Sequence, residues 1–523
     1  MSSETKGVDI LGKIAMDSKL SEMPYKVQPD NIELGEVFEH HPTTTEEKSV
    51  LRKIDWHLMP LLTFSYFLQF LDKSSLNYSS VLGIQKDTHL VGQQYSWLSS
   101  VFYFGYLVAN YPASLGFVKL PLAKFLSVSI IVWAIILGCH GAGQSFAGLC
   151  ILRILLGMAE STVSPGFSLL TGIWYKPSEH AWRHGIWFLG NGIANTFGGL
   201  LAYGIAHITG SLATWRWLFI IFGLITLFWG ILLFFLLPDT PLTARFLNPR
   251  ERMIADRRPQ KIQHSFKSNE WSHVQFCEAL KDPKSWLIAL LIGVASITNG
   301  VISNFGSLIV KSFGYNEFDT ILLGMPSGGF QIASVLVATY SASRIRKSRI
   351  IIIIIGYVFA LLGILLVKLL PTENKIGRLF GYWMMILFSS AFPLMLSLIA
   401  SNTAGFTKKA TVNAMFFISY CAGNIGGPQL FKSAEAPSYP VRFLPREQMG
   451  HILMKCTGRL PIMAASHASL RQYLDWENKR RDKQQGKFID PEPKHVDDVD
   501  DLDLTVERIV YTDWENLDFR YYL

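Results

Sequence analysis

Apolar residues along this chain gather in long uninterrupted runs, not in the short periodic stripes of a soluble fold. Such runs lie near 58–83, 95–117, 121–141, 146–170, 184–208 and 215–237. After a polar stretch from 238 to 285 come further runs near 286–310, 319–341, 350–370, 379–401 and 411–431. A helix crossing the hydrocarbon layer needs about 20 predominantly apolar residues. The pattern therefore predicts an all-α membrane protein with eleven spans, set out as six, a charged loop, then five.

Lys and Arg set the orientation. With the N-terminus in the cytosol, the loops on that side carry nineteen basic residues, nine of them between Arg245 and Lys284. The opposite loops carry five: Lys73, Lys86, Lys311, Lys375 and Arg378. Cytosolic loops are the basic ones in membrane proteins, so the N-terminus is expected inside. Six spans, a basic loop and a second set match two six-helix halves with a path between them. The expected units are an acidic cytosolic tail 1–53, a first half 54–237, a central loop 238–285 and a second half 286–440.

The second half lacks a clear twelfth span. Residues 441–470 contain Arg442, Arg446, Glu447, Lys455 and Arg459, and their longest charge-free stretch, Leu460 to Leu470, is too short to cross. The tail 471–523 opens with Lys479, Arg480, Arg481 and Lys483. After eleven spans that cluster would fall on the wrong side, whereas an even number would return it to the cytosol. Two explanations are open: an out-of-frame or mis-spliced replacement of a real twelfth span, or a genuine divergence with an eleven-span or re-entrant ending.

Composition agrees with the bilayer. Half the residues are apolar and 17% are charged, against about a quarter charged in soluble domains. The net charge of +8 is spread in short clusters beside apolar runs, which suits anionic lipid headgroups and excludes a compact nucleic-acid site. Five scattered cysteines form neither a disulfide framework nor a metal site. No h-region precedes the first run, so that span is expected to direct insertion.

Several segments resemble the fungal allantoate permease family, in the anion:cation symporter branch of the major facilitator superfamily. They are DWHLMPLLTFSYFLQFLDKSSLNYSSVLGIQKD in span one, YSWLSSVFYFGYL in span two and LRILLGMAESTVSPGFSLLTGIWY in span four. RHGIWFLGNGIANTFGGLLAYGI, WRWLF, GNIGGPQLF and the tail's ENKRRD and DFRYYL extend the likeness over roughly 45–440 and 470–523. The resemblance implies a major facilitator fold and a proton-coupled importer of small organic anions such as allantoate, ureidosuccinate or vitamin carboxylates. Asn110 stands where many relatives carry Glu, so a proton-bearing carboxylate at that place is absent.

Ionisable groups at membrane depth are costly and mark pathways. Asp72, beside Lys73 in span one, serves as proton acceptor or as part of a structural polar cluster. Arg153 and Glu160 sit seven residues apart on span four, within about 20° of one helix face. Arg153 suits an anion through its planar fork, and Glu160 can hold the coupling proton; a fixed brace is the plainer reading. Gly157 between them permits close approach of a neighbouring backbone. Asn191 and Asn195 of span five, Gln331 of span eight and Asn424 of span eleven are candidate cavity amides, able to donate and accept.

No desaturase-type His pairs, GxSxG elbow, P-loop or clustered metal ligands occur, so neither an enzyme nor an ATP-driven pump is expected. No cofactor is expected beyond a proton gradient. The expected partners are a small organic anion, the proton and the lipid bilayer, without nucleic acid, for a monomer in the plasma membrane. The alternatives are a proton-driven exporter of a fungal metabolite or toxin, or a non-functional variant of the fold. Sequencing the transcript across 441–470 separates the two explanations of that segment: an uninterrupted cDNA encoding these residues decides for divergence.

Overall fold

Each of the eleven apolar runs is a helix in the computed structural model. It describes residues 43–208, 210, 212–263, 271–311, 313–315, 317–345, 347–429, 460–484, 513, 514 and 521, among which all regular structure is helical. Met1–Lys48 and Ser49–Leu523 form separate units. Of the first unit, the described part is the helix start, where Thr43 and Glu46 cap each other: Thr43 N–H donates to Glu46 Oε2 at 3.0 Å and Glu46 N–H to Thr43 Oγ1 at 3.3 Å.

The first half holds span one (Thr44–Val81), span two (Gln94–Lys119), span three (Leu122–Cys139), span four, span five (His180–Ala206) and span six (Thr214–Leu236). Span four runs as Phe146–Glu160 and Val163–Trp174. The break at 161–162 lies just ahead of Pro165, which has no N–H for the Ser161 carbonyl. The second half holds span seven (Pro283–Lys311), span eight (Glu317–Arg344), span nine (Arg349–Leu369), span ten and span eleven (Phe406–Gln429). Span ten repeats the device: Lys375–Met385 and Ala391–Asn402 are joined by a tighter helical stretch, Ile386–Ser390, ahead of Pro393.

Seven of these helices are long and apolar enough to cross a membrane by length and composition. Spans one, five and eleven are long enough but less apolar, the shortest of them having 24 residues. Their polar residues face inward, where neighbouring helices and not lipid receive them. Lipid-side positions are apolar instead: Phe228, Phe235 and Val337 are each about two-thirds or more exposed.

The halves meet along spans two with eleven and five with eight. Within the first half, spans two and four cross closely because both lack a side chain at the crossing. A Cβ at Gly157 would lie 2.0 Å from the Phe102 carbonyl oxygen, and one at Gly105 would lie 2.1 Å from that of Ile154. Loops 2–3, 4–5, 6–7, 8–9 and 10–11 share one end of the bundle, called the basic face below. Two loop helices, Pro249–Gln263 and His273–Lys281, lie there between the halves in sequence.

The last described helix, Leu460–Gln484, packs on spans seven and nine. Span six does the same in the first half. It packs on span three, and on span one through Trp229, whose indole N–H donates to Ser65 Oγ at 2.8 Å. The last helix thus takes the sixth position of its half, with His467 buried against Tyr357 and Leu470 and Leu474 buried nearby. The boundary expected at 470 falls inside it, residues 430–459 lie outside the described residues, and its basic end reaches the basic face.

Replacing Gly157 with Ala sets a methyl against fixed backbone, an overpacking worth about 1–3 kcal/mol. The Gly157→Ala protein is expected to melt several degrees lower in detergent. An unchanged melting temperature would mean that spans two and four separate without cost.

Candidate functional site

Between the halves lies a cavity of about 200 Å³. On span one, helical phase decides which residues reach it. Tyr66, Gln69, Lys73 and Asn77 recur at intervals of three and four, and all four line the cavity. Asp72 falls on the adjoining face with Ser65, Leu68 and Ser75, all of them buried. Its Oδ2 accepts a 2.6 Å hydrogen bond from Trp133 Nε1 of span three, and Oδ1 has no hydrogen-bond partner. Asp72 therefore lies behind the wall, tying span one to span three. Lys73, which enters the sequence pattern only as the neighbour of Asp72, is the residue that faces the cavity.

Arg153 lines the same cavity from span four, with its guanidinium 5.7 Å from the Phe219 ring and one terminal nitrogen without a hydrogen-bond partner. Glu160 is fully buried, and neither carboxylate oxygen has a hydrogen-bond partner. Seven residues span about 10 Å of helix, too far for Glu160 to clasp Arg153 tightly. Its ion pair is with Lys73 instead, at 3.8 Å. Two acids and two bases thus sit together in the first half, formally neutral as a set.

The amides divide in the same way. Asn191, Asn195 and Gln331 line the cavity. Asn195 Nδ2 donates to Gln331 Oε1 at 2.7 Å, a bond from one half to the other. Asn424 is buried one layer behind. Its Oδ1 accepts from Asn299 Nδ2 at 3.1 Å, and its Nδ2 donates to the Tyr420 carbonyl at 2.9 Å. Asn299 is the cavity residue, and the helical recurrence of Ser296, Asn299 and Ser303 along span seven is the signal that marks it. Asn110 is spent within its own helix, donating to the Tyr106 carbonyl at 3.2 Å.

Toward the basic face the cavity ends on Phe188 and Phe392, stacked across the halves with centroids 5.2 Å apart. Below them the halves are bonded together. Arg349 donates to the Pro177 carbonyl and to Ser401 Oγ, each at 2.9 Å. Ser401 Oγ lies 3.1 Å from His180 Nδ1 and donates to the Pro177 carbonyl at 3.2 Å. In the first turn of span five Arg183 holds Asp55 at 2.9 Å, and just before that span Glu179 holds Arg258 of the central loop at 2.6 Å. The structure is closed on its basic side.

The model of the Major Facilitator Superfamily matches residues 62–428, which take in most of span one and every span through eleven. The chain belongs to that superfamily. It is 35% identical over 94% of its length, and 90% of the relative's, to the allantoate permease of Saccharomyces cerevisiae. An uncharacterized transporter of Schizosaccharomyces pombe is 36% identical over 84% of this chain and 82% of its own. A thiamine pathway transporter of Saccharomyces cerevisiae is 31% identical over 94% and 90%. Among solved structures, a bacterial homologue of the human lysosomal transporter Spinster, inward-facing and occupied, aligns at a TM-score of 0.53 with 14% identity. It covers 79% of this chain and 96% of its own. This major facilitator protein is thus a multi-pass membrane transporter by family, with its polar cavity where the two halves meet.

Removing the indole donor behind the wall leaves the Asp72 carboxyl buried without a partner, at a cost of about 1–3 kcal/mol. Trp133→Phe is expected to lower the melting temperature, and Asp72→Asn in that background to recover part of the loss. Additive losses from the two substitutions would show that the bond does not link spans one and three.

Proposed function

We propose that this protein is a proton-coupled importer of a small organic anion, working by alternating access between its two halves. The observation that carries the reading is the Lys73–Glu160 pair, a half-buried lysine on a fully buried acid, at the edge of a cavity that also presents Arg153. While Glu160 is ionised it compensates Lys73. Protonating Glu160 leaves Lys73 and Arg153 facing the cavity with too little negative charge, and stranding a buried charge costs several kcal/mol. A substrate carboxylate restores neutrality, and Arg153 can bind it through two N–H groups. Proton and anion therefore favour each other's binding, and that coupling is reciprocal.

The amide walls narrow the substrate class. Asn191, Asn195, Gln331 and Asn299 offer paired donors and acceptors suited to a ureido or amide group beside the carboxylate. The name of the Saccharomyces cerevisiae relative, allantoate permease, supports a ureido acid. The basic-face charge bias supports a cytosolic N-terminus, and the plasma membrane is the location that uptake requires. The protein acts as a monomer on this reading, is not an enzyme and uses no cofactor beyond the proton gradient.

Uptake of labelled allantoate into cells expressing the protein tests this directly. Accumulation is expected to rise as external pH falls and to collapse with an uncoupler; indifference to both would sink symport. Glu160→Gln is expected to lose accumulation by about tenfold or more while retaining substrate exchange down equal gradients. Arg153→Ala is expected to lose both. If Glu160→Gln still concentrates substrate, the coupling proton rides elsewhere.

A further inference from the structure

At the basic face, residues near the end of the chain are built into the second half. Asp513 is fully buried. One of its carboxylate oxygens lies 2.8 Å from Lys284 Nζ and the other 2.7 Å from Lys408 Nζ. Tyr521 donates its hydroxyl to Asp513 Oδ2 at 3.0 Å, and the Ala404 N–H donates to Oδ1 at 3.4 Å. The last helix holds Tyr521 in turn. Arg481 donates to the Tyr521 hydroxyl at 2.9 Å, and Asn478 exchanges bonds of 3.1 and 2.9 Å with its backbone.

Lys284 opens span seven and Lys408 opens span eleven. Lys284 also donates to the Asn402 carbonyl at 2.6 Å. The tail thus grips both ends of the short link, residues 403–405, that turns span ten into span eleven through Gly405 at φ +87°. The flanks of that link are what touch the first half. Ser401, one residue before Asn402, meets Pro177 and His180. On the other side Phe406 and Ala410 pack on Val118 of span two, and Lys409 lies over Gly172 of span four.

The cluster survives arithmetic without Asp513. Lys408 also pairs with Glu278 at 2.5 Å and with Asp282 at 3.5 Å, and Lys284 with Asp282 at 3.4 Å. Lys284 and Lys408 therefore each keep an acid if Asp513 leaves, and the buried Lys409, on which the Asp513 charge also acts, is the cation that loses support. Burial alone would raise the Asp513 carboxyl, but Lys284 and Lys408 hold it below the usual carboxylate range, so the contact stays charged at cellular pH. A contact whose loss leaves both clamped lysines paired with an acid is one that can detach.

We propose that the C-terminal tail is a latch on the basic-face gate: by clamping Lys284, Asn402, Ala404 and Lys408 it fixes the link whose flanks close against the first half. Release of the tail shifts the protein toward the state open on the basic side and closed over the cavity's other end. Nothing in this depends on the substrate or on proton coupling.

Single-cysteine labelling of the full-length protein in detergent tests the latch without a substrate, so its failure stands apart from any failure of anion symport. The five native cysteines are changed to serine. One reporter cysteine is placed at Thr171, buried on the basic side, or at Ser74, on the cavity wall. Asp513→Asn is expected to raise maleimide labelling at position 171 by about five- to tenfold, as a population shift of roughly 1 kcal/mol would, and to slow it at position 74. Unchanged rates at both positions, or faster rates at both through loosening of the fold, would overturn the proposal. If Asp513→Asn is not recovered folded, Tyr521→Phe removes only the hydroxyl contacts to Asp513 and Arg481. A smaller reciprocal change in that variant supports the latch, and no reciprocal change overturns it.

Discussion

A charge in the interior of a membrane protein must be answered by another charge, and this constraint organises the first half. Asp72, Lys73, Arg153 and Glu160 are all removed from bulk solvent, in a medium where an unanswered charge costs several kcal/mol. Four such groups persist only as a set. Their answering is uneven: Asp72 has a firm 2.6 Å donor in Trp133, while Glu160 has a lysine at 3.8 Å and no hydrogen bond to either oxygen. The first contact is a short bond that ties two spans together. The second is the looser one, and in the proposed mechanism it is exchanged for a proton and an anion.

The same constraint explains which helices are polar. Spans one, five, seven and eleven carry polar side chains that lipid would not tolerate, and they can do so because the cavity and the opposite half receive them. Hydrogen bonds then hold the halves together, as in Asn195–Gln331 above the Phe188–Phe392 floor and Arg349–Pro177 below it. A bond of that kind is worth about 1 kcal/mol net. A gate made of a few such bonds can be opened by a change in site charge, whereas a packed apolar seam could not.

Runs of apolar residues made the spans legible in the sequence, because crossing a bilayer demands length and apolarity that few other roles require. The nineteen-to-five charge bias gave a sidedness in the same way. Which polar residue faces the cavity was less legible, since Asp72 and Lys73 differ by only 100° of helix and no local feature says which direction is inward. The recurrence of Tyr66, Gln69, Lys73 and Asn77 carries that information, but only once the cavity supplies a reference. Asn424 misled for a related reason: its amide is functional in kind, yet Asn299 stands between it and the space. The last helix was hidden because it carries too many charges for a span and is buried by contacts with spans seven and nine, which lie far from it in the sequence.

That helix and the tail after it extend the electrostatic argument from the core to the rim. In the core, two acids and two bases leave no spare partner, and this is why the proposed mechanism has an added proton recruit an anion. At the rim, Glu278 and Asp282 stay with Lys284 and Lys408 when Asp513 leaves, so neither of those lysines is stranded. Asp513 belongs to the tail, whose departure changes the grip on the link between spans ten and eleven. On the proposed mechanism the core set couples two ligands to each other, while the rim set lets the tail detach with Lys284 and Lys408 still paired. The difference lies in which charges keep a partner, and the two proposals place coupling at the centre of the bundle and control at its basic end.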